Sequence, residues 1–185
     1  MTRMQWLLCG VVLALTVGCA ADACPLCDAA DAGDVESVQR LLAATTDPAE
    51  RAALADRAIY RLSSDYSPRE HGPAIAALLF QAGANPHQDR VFRTTDRSRA
   101  LVAEDLAQVG EPEMVRAFIN AGFDVKGEPG AWVLLRASRA SAKDVARVLM
   151  EAGADPTRRL LETTALDEAR KAGDAEMVAI LERRP

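Results

Sequence analysis

Several things are scarce in this sequence. Aromatic residues make up only 4% of its 185 positions, Lys occurs 3 times against 19 Arg, and there are 2 His. Acidic residues outnumber basic ones, 27 to 22, for a formal net charge of −5. That balance excludes the basic field a nucleic-acid binder needs to neutralise phosphates. There is no glycine-rich phosphate loop, and no Ser or Cys nucleophile stands beside a recognisable His. With no catalytic constellation, the chain is expected not to be an enzyme and to need no cofactor. His71 and His87 have no metal-ligand spacing, so no metal site is expected either. What is abundant is apolar: hydrophobic residues are 49% of the chain, too many for disorder, and Ala occurs 36 times. Ala has the highest helix propensity, and its thin side chain lets helices approach closely, so one all-α domain is expected and strand-rich folds are disfavoured.

The first residues read as a targeting segment. Arg3 gives a basic start, Trp6 to Val17 is a nearly unbroken apolar run, and Gly18, Ala20 and Ala21 are small. A run of about a dozen residues is too short to span a hydrocarbon core that needs about twenty. Leu15-Thr16-Val17-Gly18-Cys19 resembles a bacterial lipobox, with Thr16 in a place that more often holds Leu, Val or Ile. The resemblance implies a signal peptide over 1–18, an acylated Cys19 opening a short linker at 19–23, and a folded domain over 24–185. An ordinary signal cut after Ala20 or Ala23 would instead release a soluble periplasmic or secreted protein.

Internal repetition follows. Phe80-Gln-Ala-Gly-Ala-Asn85, Ile119-Asn-Ala-Gly-Phe-Asp124 and Met150-Glu-Ala-Gly-Ala-Asp155 align, each behind an apolar stripe spaced by three and four residues, such as Val145, Val148 and Leu149. A second set aligns as Ala32-Gly-Asp-Val-Glu36, Val109-Gly-Glu-Pro-Glu113 and Ala172-Gly-Asp-Ala-Glu176. Thr164-Ala-Leu-Asp-Glu-Ala-Arg-Lys-Ala-Gly-Asp-Ala-Glu-Met-Val-Ala-Ile-Leu181 then resembles an ankyrin repeat almost position for position, and Cys24-Pro-Leu-Cys-Asp-Ala-Ala30 occupies the same opening. The resemblance implies a solenoid of about five helix-turn-helix units. The second unit diverges, with a first helix within Pro48 to Leu62 and a second near Pro73 to Ala82. A third runs from Leu101 to Asp124, and the fourth, Trp132 to Asp155, has Ser141 in place of the turn Gly.

Cys24 and Cys27 form a C-x-x-C with an internal Pro. Alone it would point to a thiol-disulfide exchanger, but the βαβ context of that class is missing, and the two fall where the repeat's Thr and His sit. A disulfide is the other reading, since an exported chain meets an oxidising compartment. The carboxylate pairs Asp34 with Glu36, Glu111 with Glu113 and Asp174 with Glu176 start second helices, where exposed N–H groups favour negative charge. Two positions apart on a helix, their members are expected to point to different sides.

The departures from the repeat carry the functional expectation. A polar loop holds Tyr66, Arg69 and His71, and a long connection after Asn85 holds Arg90, Phe92, Arg93, Arg97 and Arg99. Insertions in repeat arrays map to surface loops, often on the binding face, and Arg with aromatics dominate interface energy. The ankyrin resemblance adds Arg97, Ser98 and Gln108, then Glu128 and Arg139, then Lys171 to a concave surface. Trp132 reads as core or groove edge, and Phe80, Phe118 and Met150 as core. The expectation is a monomeric, non-enzymatic module that binds one protein partner with an acidic surface, tethered by lipid on the periplasmic side, favouring the outer membrane. An immunity or inhibitor protein against an exported toxin is its concrete form; a periplasmic thiol-disulfide protein using Cys24 and Cys27, or a general scaffold, are the alternatives.

Overall fold

The computed structural model describes residues 24–64, 71–87, 89–90, 100–101, 103, 106–107 and 110–183. The segments 1–18 and 19–23, with Cys19, lie outside the described residues. In chain order the elements are α1 (Pro25–Asp31), α2 (Val35–Ala44), α3 (Pro48–Ser64), α4 (Gly72–Gln81), β1 (Asp89–Arg90), β2 (Ala100–Leu101), α5 (Pro112–Asn120), α6 (Glu128–Arg139), α7 (Lys143–Glu151), α8 (Ala165–Ala172) and α9 (Ala175–Leu181). Among the described residues the fold is all-α, apart from a two-residue antiparallel pairing in which Asp89 faces Leu101 and Arg90 faces Ala100.

The helices come in consecutive pairs and stack in two layers. α1 packs on α2, α3 on α4, α6 on α7 and α8 on α9. Between pairs, α1 meets α3 and α6 meets α8, while α2, α4, α5, α7 and α9 contact one another in succession. Ala103, Leu106 and Ala107 are helical and buried in the stretch before α5. One apolar cluster runs from Cys24 to Leu181, with Ile59, Ile75, Leu79, Phe118, Leu134, Leu149 and Met177 fully buried. Each short helix has too few residues to be stable alone, so burial of these stripes against neighbours is what holds it.

Local chemistry sets the boundaries. Asp34 and Asp174 cap α2 and α9 by accepting the N–H of Ser37 at 2.9 Å and of Met177 at 3.0 Å, and the Thr164 hydroxyl accepts from Asp167 N–H at 3.0 Å at the start of α8. Pro lies in the first turn of α1, α4, α5 and α6, where its fixed φ suits the helix and its missing N–H has no partner to lose. Turns between paired helices take φ of 72°, 79° and 71° at Gly33, Gly110 and Gly173. Ser141 takes the same role at φ 54°. A side chain there is strained, and the Ser141 hydroxyl offsets this by donating to Asp174 Oδ2 at 2.8 Å across the seam to the next pair.

Three expectations are corrected. The fourth pair starts at Glu128, not Trp132, because the connection from α5 is cut to a few residues and the chain turns straight into α6. Glu128 is therefore a first-turn helix residue rather than part of a finger. Phe80 is half-buried rather than core: its ring meets the buried Phe118 edge-on, with centroids 4.8 Å apart, at the rim of a groove between α4 and α5. Asp174 and Glu176 converge on a single cation, Lys143 Nζ, at 3.6 and 3.1 Å. Asp174 is the N-cap and stands outside the helical spiral, so helix-face spacing does not apply to it.

Two stability outcomes follow. A Cβ on Gly130 would lie 1.9 Å from the Val125 carbonyl oxygen, backbone that cannot give way. Gly130→Ala should lower the urea-unfolding free energy by about 3 kcal/mol or leave the chain insoluble. Cys24 and Cys27 are joined by a disulfide that closes the first turn of α1. Its loop is short, so Cys24→Ser with Cys27→Ser should lower stability by only about 2 kcal/mol in the same assay.

Candidate functional site

The second half of the chain carries a groove of about 580 Å³ between α6, α8 and the segment that joins α7 to α8. Its scaffold begins with Asp155, whose carboxylate accepts the Thr157 N–H at 2.9 Å and the Thr157 hydroxyl at 2.7 Å. That local turn redirects the chain out of α7, in the way Asp side chains commonly do. Further on, Leu160 N–H donates to Thr163 O at 2.9 Å and Thr163 N–H to Leu160 O at 3.1 Å. The result is a two-residue hairpin with Leu161 and Glu162 at its tip. Favoured turns of this length need positive φ at the first tip position, which is normally Gly, Asn or Asp. Here Leu161 occupies it at φ 54°, and the residue is 82% exposed.

Beneath the tip, Ala131, Leu135 and Leu160 form a small buried cluster, separate from the main core, with Trp132 packed half-buried against it. Trp132 projects from the first turns of α6, where its indole N–H reaches Glu128 Oε1 at 3.4 Å. Two polar links fix the spacing of the walls. The buried Ser138 hydroxyl of α6 donates to Ala165 O at 2.8 Å, and Arg139 Nη2 donates to Glu168 Oε1 at 3.1 Å. Hydrogen bonding from Arg139, and next from the Thr163 hydroxyl, holds the Glu168 carboxyl below the ordinary carboxylate range. Lys171, exposed one turn further along α8, lines the same groove.

Of the residues expected at a binding surface, Arg139 lies in this groove, half-exposed and paired with Glu168. His71 is exposed at the N-cap of α4, and its side chain makes no capping bond. Arg90 sits in β1 with its backbone paired to Ala100. Tyr66, Arg69, Phe92, Arg93, Arg97, Ser98, Arg99 and Gln108 lie outside the described residues. Leu161, by contrast, was not expected. Its only sequence signal is two adjacent leucines, Leu160-Leu161, in a connection that is otherwise polar. Among the described residues, no cluster of three or more His, Cys, Asp or Glu is placed to hold a metal ion, and no helix is long and apolar enough to cross a membrane.

The seam between the fourth and fifth pairs carries several ion pairs. Besides Arg139 with Glu168, Lys143 bridges Asp174 and Glu176, and Arg147 pairs with Asp144 and, at 2.9 Å, with Glu176. Exposed pairs of this kind contribute little singly, so the network acts mainly through its caps. The bond from Met177 N–H, followed by that from Ser141, holds the Asp174 carboxyl below its ordinary value; Ser37 does the same for Asp34 and Thr157 for Asp155. Lys143 is raised above its ordinary 10.5, chiefly by its bond to Glu176.

A group with a depressed folded pKa contributes stability that is present above its unfolded value and lost as pH falls through the folded one; a raised lysine contributes below its unfolded value and loses it on the alkaline side. Thermal stability should therefore be flat from about pH 5 to about pH 10 and fall below about pH 4 as these carboxylates protonate. Asp174→Ala should lower the neutral melting temperature by roughly 2–4 °C and flatten the acid limb, both read from calorimetric melts across that range.

The chain matches no protein-family model and no curated protein.

Proposed function

We propose that the chain is an ankyrin-type array of five units that works as a non-enzymatic protein-binding module, held on the periplasmic side of a bacterial membrane through an acylated Cys19. Among the described residues the main helix contacts run between consecutive pairs, and Gly33, Gly110, Ser141 and Gly173 each turn at positive φ just before the second helix of a pair, which supports the repeat reading. The lipobox-like Leu15-Thr16-Val17-Gly18-Cys19 supports the anchor. Bacterial lipid anchors carry several acyl chains, and at about 0.8 kcal/mol per buried CH₂ such a tether is effectively permanent. A binder fixed in that compartment suits guarding it, and its concrete form is an immunity or inhibitor protein against an exported toxin. The observation that carries the binding reading is the groove roofed by an exposed leucine, because a large apolar side chain left in water at a strained backbone position adds nothing to the fold. A thiol-disulfide role fits less well, since Cys24 and Cys27 are 1% and 0% exposed and exchange requires access to a sulfur.

Mass spectrometry of the N-terminal peptide from the full chain, expressed with its own leader, should find acyl chains on Cys19. Crosslinking in the periplasm followed by affinity capture should recover one specific protein partner, and deleting the gene should raise sensitivity to that partner if it is a toxin. Absence of any specific partner, together with unchanged sensitivity, would remove the immunity reading.

A further inference from the structure

The point where the chain enters its fold is closely fixed. Cys24 is 1% exposed, is bonded to Cys27, and its carbonyl accepts the Asp28 N–H at 2.9 Å. Five chain steps separate it from Cys19, and whatever path they take they span at most about 18 Å. α1 and α2 are joined by Ala32-Gly33-Asp34 and pack on each other, the arrangement of two antiparallel helices. α2 therefore ends on the edge where α1 begins, and Thr45-Thr46-Asp47 leads from there into α3. α3 runs beside α1 in the same direction, with Arg61 paired to Asp28 at 3.1 Å and to Asp31 at 2.6 Å. Counted back from Arg61, the level of Cys24 falls between Leu54 and Arg57. The start of α3, Pro48 to Ala53, thus reaches about 9 Å or more beyond the level at which the tether joins.

Resting on the acylated-Cys19 reading, we propose that this edge of the first two pairs stands on the lipid surface, with Pro48 to Ala53 as its foot. With its acyl chains in the hydrocarbon, Cys19 lies in a headgroup layer about 5–8 Å deep. The tether then holds Cys24 no more than about 18 Å above it, a gap that the projecting turns of α3 largely fill. With the opposite edge down, at Ala32-Gly33-Asp34, Cys24 would stand a further helix length, about 12 Å, from the lipid. The tether would have to double back along the pair, with little reach left for the headgroups. The flank of α1 and α2 fits no better: it exposes Asp34 and Glu36 against the single cation Arg40, and lipid contact would strip water from that charge. The foot is firm and nearly neutral. Asp47 caps it by accepting the Ala49 N–H at 2.9 Å, and Arg51 is turned back onto Thr45 O at 2.9 and 2.7 Å. It has too little apolar or basic surface to bind lipid alone, so the anchor sets the contact.

The test uses the full acylated chain in phosphatidylcholine vesicles that carry a small fraction of rhodamine-labelled headgroups. With Cys24 bonded to Cys27 and Cys19 acylated, a cysteine introduced into the mature chain is its free thiol and takes a donor fluorophore. Three exposed positions are compared: Ala49→Cys in the foot, Ala32→Cys at the opposite edge and Gln39→Cys on the flank of α2. About 20 Å of helix separates the level of position 49 from that of position 32, so energy transfer to the headgroups should be about twofold or more greater from 49. Position 39 should fall between them. Inserting a Gly/Ser segment of about thirty residues between Ala23 and Cys24 should erase the differences while the chain stays on the vesicles. Equal transfer from 49 and 32, or the greatest transfer from 32 or 39, overturns the orientation and leaves the anchor standing. Differences that survive the insertion also overturn it, since the tether is then not their cause. A chain that does not float with the vesicles removes the anchor reading, and this proposal with it.

Discussion

No helix pair in this chain can bury its apolar stripe by itself. α1 and α9 have 7 residues each and α8 has 8, lengths at which an isolated helix in water is unstable. Order at every point is therefore borrowed from the adjacent pair, and all other features follow from keeping those seams tight. Ala lines them because a methyl group lets helix axes approach, positive-φ turns return the chain quickly enough for the next helix to land on its neighbour, and Gly130 is bare because the Val125 carbonyl occupies the place of a side chain. The polar groups at the seams, Ser138 on Ala165 O and Ser141 on Asp174, hold spacing that apolar contact alone would leave loose.

The helices and their order were legible because two signals coincide in each unit: an apolar stripe at spacings of three and four, and an Ala-Gly pair where the helix must stop. Thr164 to Leu181 shows both, and α8 and α9 fall where that pattern puts them. The start of α6 was not legible, since the repeat places its opening at Trp132, while the shortened connection lets Glu128 and Pro129 begin the helix early. Phe80 reads as core from its position on an apolar helix, yet its exposure depends on how far α5 leans away, which no local pattern states. The meeting of Asp174 and Glu176 at Lys143 escapes helix-face arithmetic because one partner is a cap.

The groove illustrates a different limit. Arg139 was visible because the ankyrin resemblance puts it on a concave surface, Trp132 only as core or groove edge, and Cys24 with Cys27 because a C-x-x-C is conspicuous. Leu161 was invisible because its significance is conformational. Leu160-Leu161-Glu162-Thr163 contains none of the Gly, Asn or Asp that marks a two-residue hairpin, so sequence alone neither places a turn there nor reveals that the second leucine is held out in water.

The groove belongs to no single unit. Trp132, Leu135 and Arg139 come from the fourth pair, Lys171 from the fifth, and Leu161 from the connection between them. Duplicating either pair alone would copy only half of this surface. The surface exists only through the adjacency of two particular neighbours, so a change in their order would preserve each helix pair far more readily than it would preserve this groove.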